Sequence, residues 1–326
     1  MSQSVKDHYA VQWRAGTVVR ERDQLAVEEP LEIRLGGRRF TLTMRTPGHD
    51  EELAAGFLLA EGFINARQEI GDIRRLRDSH GRPEPNALDI ILNVPAAALR
   101  ERLQRNFSIS SSCGVCGKTS IEALERRIPP LTSNARITAD ALFKMPALMR
   151  QAQAVFSATG GLHAAALFEF YSTWAAPCSE TAGRRVTQED VRLVALREDV
   201  GRHNAVDKVT GYALLQDNIP IRDAASGGAE QSLRLECVPR SYAMMVSGRL
   251  SFEIVQKVAA AGIAILCAVS APSSLAVELA EEVGMTLVGF LREPNLNIYS
   301  APERIVLIGA SAAVNSIKPS KSDGRL

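Results

Sequence analysis

The sequence has no excess of charge of either sign: 38 lysines and arginines stand against 37 aspartates and glutamates in 326 residues, a formal net charge of +1. Such a balance gives no global field to draw in nucleic acid or an anionic membrane, so neither is expected as a partner, and any anionic ligand must be held by a local site. Long hydrophobic runs are also missing. The most apolar stretch, Val258 to Ala271, contains Gly262 and falls short of the roughly 20 residues a membrane helix needs. The opening residues, MSQSVKDHYA, lack the basic and apolar regions of a secretory leader, so a cytoplasmic protein is expected. Cysteine is sparse and odd in number, five in all, which argues against a disulfide framework and for a reducing compartment. Cys178, Cys237 and Cys267 stand alone. With no second C-x-x-C and no histidine pair at zinc-ligand spacing, no intrinsic metal is expected. The chain shows no internal repeat.

What is present is an ordinary globular composition, 46% hydrophobic and 23% charged, in a chain long enough for a full core and for two domains. Leu31 to Leu35 and Arg39 to Arg45 alternate apolar and polar residues around Gly36-Gly37, the pair that favours a tight hairpin turn. Pro47-Gly48 breaks the chain, and Leu53, Phe57 and Leu58 then form a helical stripe closing near Gly62. Strands are expected at Ile73 to Leu76 and Leu88 to Val94, followed by a charged helix from Pro95 to about Gln104. Residues 1–107 thus read as a small α+β domain. From Met145 the rhythm changes, with a helix to about Ser157 and strands at Leu162 to Phe168 and Leu193 to Glu198. A helix from about Asn204 to Leu215, a strand at Tyr242 to Ser247 and a helix from Ser251 to Ala261 follow. Strand, helix and strand then recur at Ile263 to Val269, Ser273 to Glu282 and Thr286 to Phe290. This alternation implies a layered α/β domain over 120–326, its helices covering a largely parallel sheet. An insertion between Gln216 and Arg240 and a polar tail from Ile317 interrupt and end it.

Between the two domains, at 108–119, lies a run of serines, glycines and two thiols; Ser108 to Ser120 reads SISSSCGVCGKTS. Such a stretch buries little and is expected to be a mobile surface loop. Thr119 and Glu122 have capping-box spacing, which starts a helix directly after it and sets Cys113 and Cys116 near a helix N-terminus. The positive end of the helix dipole, with Lys118 beside it, lowers a thiol pKa from its reference of about 8.5 and enriches the reactive thiolate. A nucleophilic thiolate on a swinging loop suits a residue that accepts sulfur at one protein and releases it at another. Spacing alone leaves half a zinc site and a thioredoxin-type exchanger open. The first lacks two further ligands. The second normally follows the first strand of a βαβ unit, whereas this pair follows a helix and a serine run.

CGVCGKTS, with the serines before it, resembles the central motif of the formate dehydrogenase accessory sulfurtransferases, the FdhD family. GGLHAAALF (Gly160 to Phe168), REDVGRHNAVDKVTGYAL (Arg197 to Leu214), VSGRLSFEIVQKVAAAGI (Val246 to Ile263) and SAPSSLAVELAEEVGMTLVGFLR (Ser270 to Arg292) resemble the same family in the same order, so the likeness reaches to about Ser300. It implies a sulfur carrier that takes persulfide sulfur from a cysteine desulfurase and delivers it to the molybdenum cofactor of formate dehydrogenase, bound in its bis(molybdopterin guanine dinucleotide) form. It further implies a homodimer and a C-terminal domain similar to cytidine deaminases. Cys113 would be the sulfur carrier and Cys116 its assistant. The stretch around Asp223 to Glu236 and the extension past Ser300 are longer than the family pattern.

A cofactor with two pyrophosphates needs backbone donors and local cations. Ser247-Gly248-Arg249 lies between an expected strand and a helix beginning near Ser251, where free amides and the helix dipole favour anions; Gly248 permits close approach and Arg249 can pair with a phosphate. A plain strand-to-helix cap with a solvated arginine is the alternative. The family's cofactor segment matches Phe252, Glu253, Ile254, Val255, Gln256 and Lys257. Glu198, Asp199, Arg202 and His203 gather at another strand-to-helix turn and would form a second wall, or else a solvated set of salt bridges. His163, in an alanine-rich strand, reads as a packed or supporting histidine.

Deaminase chemistry itself is excluded. It needs a glutamate two residues after the metal-binding histidine and a later P-C-x-x-C, but Ala165 follows His163 at that spacing and the C-x-x-C comes earlier. Two rival classes remain. A thiol-disulfide oxidoreductase would need both cysteines and a cycling disulfide; a cofactor-binding chaperone without sulfur transfer would need neither.

Overall fold

The computed structural model describes residues 4–106, 128–171, 191–216 and 240–307 of the chain. It opens with a ribbon the sequence reading passed over: β1 (Val5–Arg14) and β2 (Thr17–Ala26) pair antiparallel over their full length and join no other strand among the described residues. Then come β3 (Glu29–Leu35) and β4 (Arg38–Arg45), the expected hairpin. Its Gly36 and Gly37 have φ of 57° and 80°, the left-handed pair a two-residue hairpin loop demands. Next follow α1 (Asp50–Ala60), β5 (Ile70–Arg77), β6 (Pro83–Leu92) and α2 (Ala96–Asn106), giving a four-stranded sheet in the order β4-β3-β6-β5.

The second half runs β7 (Ile137–Thr138), α3 (Ala139–Ala152), α4 (Ala154–Thr159), β8 (His163–Tyr171), β9 (Val191–Asp199) and α5 (Arg202–Leu215). It continues with β10 (Arg240–Val246), α6 (Phe252–Ala260), β11 (Ile265–Ala268), α7 (Ser274–Glu282), β12 (Thr286–Arg292), β13 (Asn295–Ser300) and β14 (Ile305–Val306). Instead of one helix from Met145 to Ser157 there are two, meeting at Gln153, whose φ/ψ of −79° and 77° break the helical path.

The large sheet has the order β13-β12-β11-β10-β8-β9. Only β10-β11 and β11-β12 pair parallel; β8-β9, β8-β10 and β12-β13 are antiparallel. The expectation of a largely parallel sheet is therefore corrected to a mixed one. Side-chain alternation explains the layering. Ala165, Leu167, Met244, Val246, Leu266 and Leu287 face a core shared with α5, α6 and α7, while Ala164, Ala166, Phe168, Ala243, Met245, Ile265 and Val288 face a second core filled by Leu142, Met145 and Met149 of α3.

The first of these cores continues into the N-terminal sheet through Leu31, Ile33 and Leu88 and into α1 through Leu53 and Leu58. Two glycines make the junction close. A Cβ on Gly56 of α1 would fall 1.9 Å from the Asp207 carbonyl oxygen of α5, and one on Gly211 of α5 would fall 1.8 Å from that of Glu52 on α1. Backbone therefore meets backbone where these helices cross. No helix among the described residues is long and apolar enough to cross a membrane. The cysteine-bearing loop with the helix expected after it, the insertion after Gln216, the polar tail, and Cys178 and Cys237 lie outside the described residues.

Candidate functional site

The site lies along one edge of the large sheet. β9, β10, β11 and β12 all end there and β8 begins there, because β8 runs antiparallel to both neighbours. Helices α5, α6 and α7 each start just after β9, β10 and β11, so their N-termini point to the same edge and give it positive potential. Ligands of α/β sheets bind at such an edge.

Two sequence-nominated turns meet there. Arg202 and His203 open α5, and Ser247-Gly248-Arg249 lead into α6. His163 lies between them: a Cβ built on Gly248 would sit 3.5 Å from its Nδ1 and 4.0 Å from Cδ of Arg202. These are ordinary contact distances, so the turn lies beside both residues with room for a small side chain. Ser247 is pinned to the start of β8, its N–H donating to the Ala164 carbonyl at 2.9 Å and its Oγ accepting from the Ala164 N–H at 2.9 Å. Arg249 is exposed. His163, read from the sequence as a packed or supporting histidine, is thus a half-buried residue of the site itself; burial, and then Arg202, lower its pKa, against a pull from Asp199.

The turn carrying Arg202 and His203 is held by a buried carboxylate. Asp199, wholly buried, accepts from the N–H of Gly201 at 2.8 Å, Nδ2 of Asn204 at 3.0 Å and the N–H of Thr46 at 3.1 Å, and pairs with Nζ of Lys208 at 2.7 Å. Lys208 also donates to the Thr46 carbonyl at 2.8 Å. Asp199 is a positioning group with its acceptors occupied. Glu198 is occupied as well, its two oxygens accepting from the N–H groups of Val155 and Phe156 at the start of α4.

Where α5 and α6 face each other, polar groups are left over. Nε2 of His203 lies 3.5 Å from Oε2 of Glu253 but makes no hydrogen bond, and Oγ of Ser251, the N-cap of α6, is buried with neither a cap bond nor another partner among the described residues. Burial first, then the positive charges of Lys257 and Arg202 and the ring of His163, lower the His203 pKa to about 3, so it is neutral at physiological pH. One turn deeper, Nζ of Lys257 donates to both carboxylate oxygens of Asp207 at 2.9 Å, with Glu253 at 3.9 Å, Glu61 at 4.0 Å and the Phe57 ring 5.6 Å away. Burial opposes its charge, but the three carboxylates outweigh that and raise its pKa.

The segment 252–257 is therefore divided. Ile254 and Val255 are core residues, and Gln256 and Lys257 are buried as well. Only Phe252 and Glu253 have partly open side chains. Beside the edge, between it and α3–α4, lies a groove of about 530 Å³ whose lining includes Met149, Gln153, Phe156, Leu162, His163 and Ser247. Such a groove, apolar with a few polar groups, is of a size that holds a small-molecule moiety. Among the described residues no three His, Cys, Asp or Glu side chains gather as metal ligands. The free cysteine among them, Cys267, is fully buried, and burial pushes its thiol up to about 12, leaving it unreactive.

The model of the FdhD/NarQ family matches residues 26–306. A protein of Mycolicibacterium paratuberculosis named sulfur carrier protein FdhD is 46% identical over 295 residues, covering 89% of this chain and 95% of its own. One of the same name from Saccharolobus solfataricus is 40% identical over 308 residues, covering 94% of this chain and all of its own. Among solved structures, one from Desulfotalea psychrophila, described as a formate dehydrogenase accessory protein, superposes with a TM-score of 0.62 at 25% identity and covers 93% of this chain.

Proposed function

Because the chain belongs to the FdhD/NarQ family, we propose that it accepts persulfide sulfur from a cysteine desulfurase and delivers it to the bis(molybdopterin guanine dinucleotide) molybdenum cofactor of formate dehydrogenase. The observation that carries the cofactor half of this reading is the pair of unpartnered polar atoms, Nε2 of His203 and Oγ of Ser251, set between two helix N-termini beside Arg202 and Arg249. Buried polar atoms without partners are costly unless a ligand satisfies them, and the N-termini of α5 and α6 with Arg202 and Arg249 favour an anion against the opposing Glu253 carboxylate, 3.5 Å from Nε2 of His203. Pyrophosphate oxygens fit that donor set.

In this reading Arg202 and Arg249 pair with phosphate. Gly248 and the first amides of α6 admit the ligand's backbone-facing side, and Phe252 and Glu253 line it. Ile254, Val255, Gln256 and Lys257 act through the rigidity of α6. Neutral His203 can donate one hydrogen bond without adding charge. For sulfur, the thiolate of Cys113 attacks the outer sulfur of the donor's persulfide. The new S–S bond forms as the old one breaks, and the donor cysteine leaves as a thiolate that takes a proton. Cys116 then either shields the carried persulfide or attacks its inner sulfur, so that a Cys113–Cys116 disulfide forms as the outer sulfur leaves as hydrosulfide toward the acceptor, an external thiol afterwards reducing the disulfide. The buried thiol of Cys267 leaves this chemistry to other cysteines. The helices on both faces of the mixed sheet support a cytidine-deaminase-like layering, and a cytoplasmic homodimer is the working state we propose.

The test is intact-protein mass after incubation with a cysteine desulfurase and free cysteine. A reducible gain of about 32 Da, absent in Cys113→Ala and retained in Cys267→Ala, supports the relay. No gain in the native chain rejects it. Retained cofactor binding would then favour a chaperone, and a cycling Cys113–Cys116 disulfide would favour an oxidoreductase.

A further inference from the structure

Phe290 stands where local chemistry would place a glycine. Its φ is 51°, a left-handed conformation that is uncommon and costly for a bulky side chain. The residue is 41% exposed, so core burial does little to offset that cost. The conformation comes from an irregularity in β12, whose register against β13 shifts between Gly289 and Arg292, while the Phe290 N–H donates instead to the Ser270 carbonyl at 3.2 Å. At bulges of this kind the left-handed position is usually glycine. The glycine here stands one residue earlier for a different reason: a Cβ on Gly289 would lie 2.9 Å from Cε2 of Tyr299, 3.1 Å from the Ser270 carbonyl oxygen and 3.2 Å from Cδ of Pro272.

The strained residue is on the ligand edge. Leu250 donates to the Ala271 carbonyl and Ser273 donates to that of Leu250, so the turns after β10 and β11 lie side by side. Phe290 is bonded to the next stretch of the same rim. At about 4.8 Å per strand, the bulge stands roughly 10 Å from the Arg249 turn. Backbone strain of this kind gathers at ligand-binding positions, and an exposed aromatic face stacks on flat heterocycles irrespective of their edge pattern.

We propose that Phe290 is a ring-stacking residue for the nucleotide end of the bound cofactor, receiving the base while the phosphates run back toward Arg249 and the first turns of α5 and α6. The assignment rests on the cofactor-binding reading above and adds which end of the rim holds the base. The experiment is equilibrium binding of guanosine diphosphate and of inorganic pyrophosphate to the full chain, together with its melting temperature, in the native protein, Phe290→Gly, Phe290→Tyr and Arg249→Ala. Phe290→Gly is expected to weaken guanosine diphosphate about tenfold, to leave pyrophosphate unchanged because it has no ring, and to raise the melting temperature by relieving the strain. Phe290→Tyr is expected to bind both as the native chain does. Unchanged guanosine diphosphate affinity in Phe290→Gly overturns the assignment of Phe290 alone, as does an equal loss of both probes, which would report a displaced loop. A native chain that binds neither probe, or an Arg249→Ala chain that binds both undiminished, overturns the cofactor reading and this assignment with it.

Discussion

Replacing Gly211 by alanine sets two effects against each other. In an exposed helix interior the change would stabilise by about 1 kcal/mol, because glycine gives up more backbone freedom on folding. At this crossing the added Cβ would lie 1.8 Å from the Glu52 carbonyl oxygen, with the Glu52 carbonyl carbon at 2.6 Å and the Gly56 nitrogen at 2.8 Å. All three are backbone atoms of α1, so no rotamer change relieves the overlap. Restoring an ordinary separation of roughly 3.3 Å moves the helices apart by more than 1 Å and opens gaps on both sides of a close-packed contact. Overpacking alone costs about 1–3 kcal/mol, and gaps around Leu53, Val206 and Val209 add to it. The net expectation is a loss of about 3 kcal/mol or more, a fall in melting temperature of roughly 4 °C or more for a chain of 326 residues. Gly56→Ala, which would meet the Asp207 carbonyl at 1.9 Å, should behave alike. Urea or thermal unfolding followed by circular dichroism measures both. Stabilisation, or a loss below about 1 kcal/mol, would refute the backbone-on-backbone account of this interface.

Two further outcomes follow from the buried charges. His203 titrates near 3 in the folded chain but near 6.5 when unfolded. Its contribution is therefore complete above pH 6.5 and is lost as pH falls toward 3, at up to about 1.4 kcal/mol per pH unit. His203→Gln should flatten the acid limb of stability against pH by up to one proton, and an unchanged slope would count against the burial of this ring. Lys257→Met strands the Asp207 carboxylate in the core and should cost about 3–5 kcal/mol, whereas pairing it with Asp207→Leu should recover most of that loss. Denaturant midpoints decide it, and a double variant no better than the single one sinks the pairwise reading.

The hairpin at Gly36-Gly37, α1, α5 and the strands β8 to β12 were legible in the sequence as apolar stripes or short apolar runs bounded by turn residues, whereas β13 (Asn295–Ser300), at the edge of the large sheet, was not expected. Nor was the β1–β2 ribbon, because Tyr9, Val11, Trp13 and Val18 alternate along it yet remain exposed, so its pattern carries no buried face. Strand direction was also hidden: periodicity of two is the same for parallel and antiparallel neighbours, and the mixed sheet follows from connections the composition does not encode. At the site, Ser247–Arg249 and Arg202–His203 were nominated from strand-to-helix turns, and both turns do lie on one edge. His163 was underrated because its contact with Gly248 spans 85 residues of chain, and no local signal reports a contact between distant segments. The division of 252–257 could have been anticipated, since Ile254, Val255 and Val258 fall on one helical face. The left-handed φ of Phe290 could not, since it is set by the Ser270 carbonyl across the sheet.

The N-terminal four-stranded sheet and the segment after it do more than shelter the core. Asp199 is the residue from which the Arg202–His203 turn hangs, and two of its partners trace back to Thr46: the N–H that donates to it directly, and the carbonyl that fixes Lys208. The Thr46 hydroxyl also accepts from the Val200 N–H at 3.2 Å, and Nδ2 of Asn204 reaches the Met44 carbonyl at 2.7 Å. The segment just after β4 is thus hydrogen-bonded to both sides of the turn that presents a guanidinium and a neutral imidazole to the ligand edge. Lys257 similarly joins α6 to Asp207 on α5 and sits over Phe57 of α1. A displacement of α1 and Thr46 relative to the large sheet would move together Arg202, proposed above to pair with phosphate, and the α6 N-terminus proposed to face it. The glycine crossing that brings α1 within backbone contact of α5 therefore bears on ligand geometry as well as on stability, and a Gly211→Ala chain that still folds should bind pyrophosphate more weakly even though Gly211 lies in the second half of α5, well away from the edge.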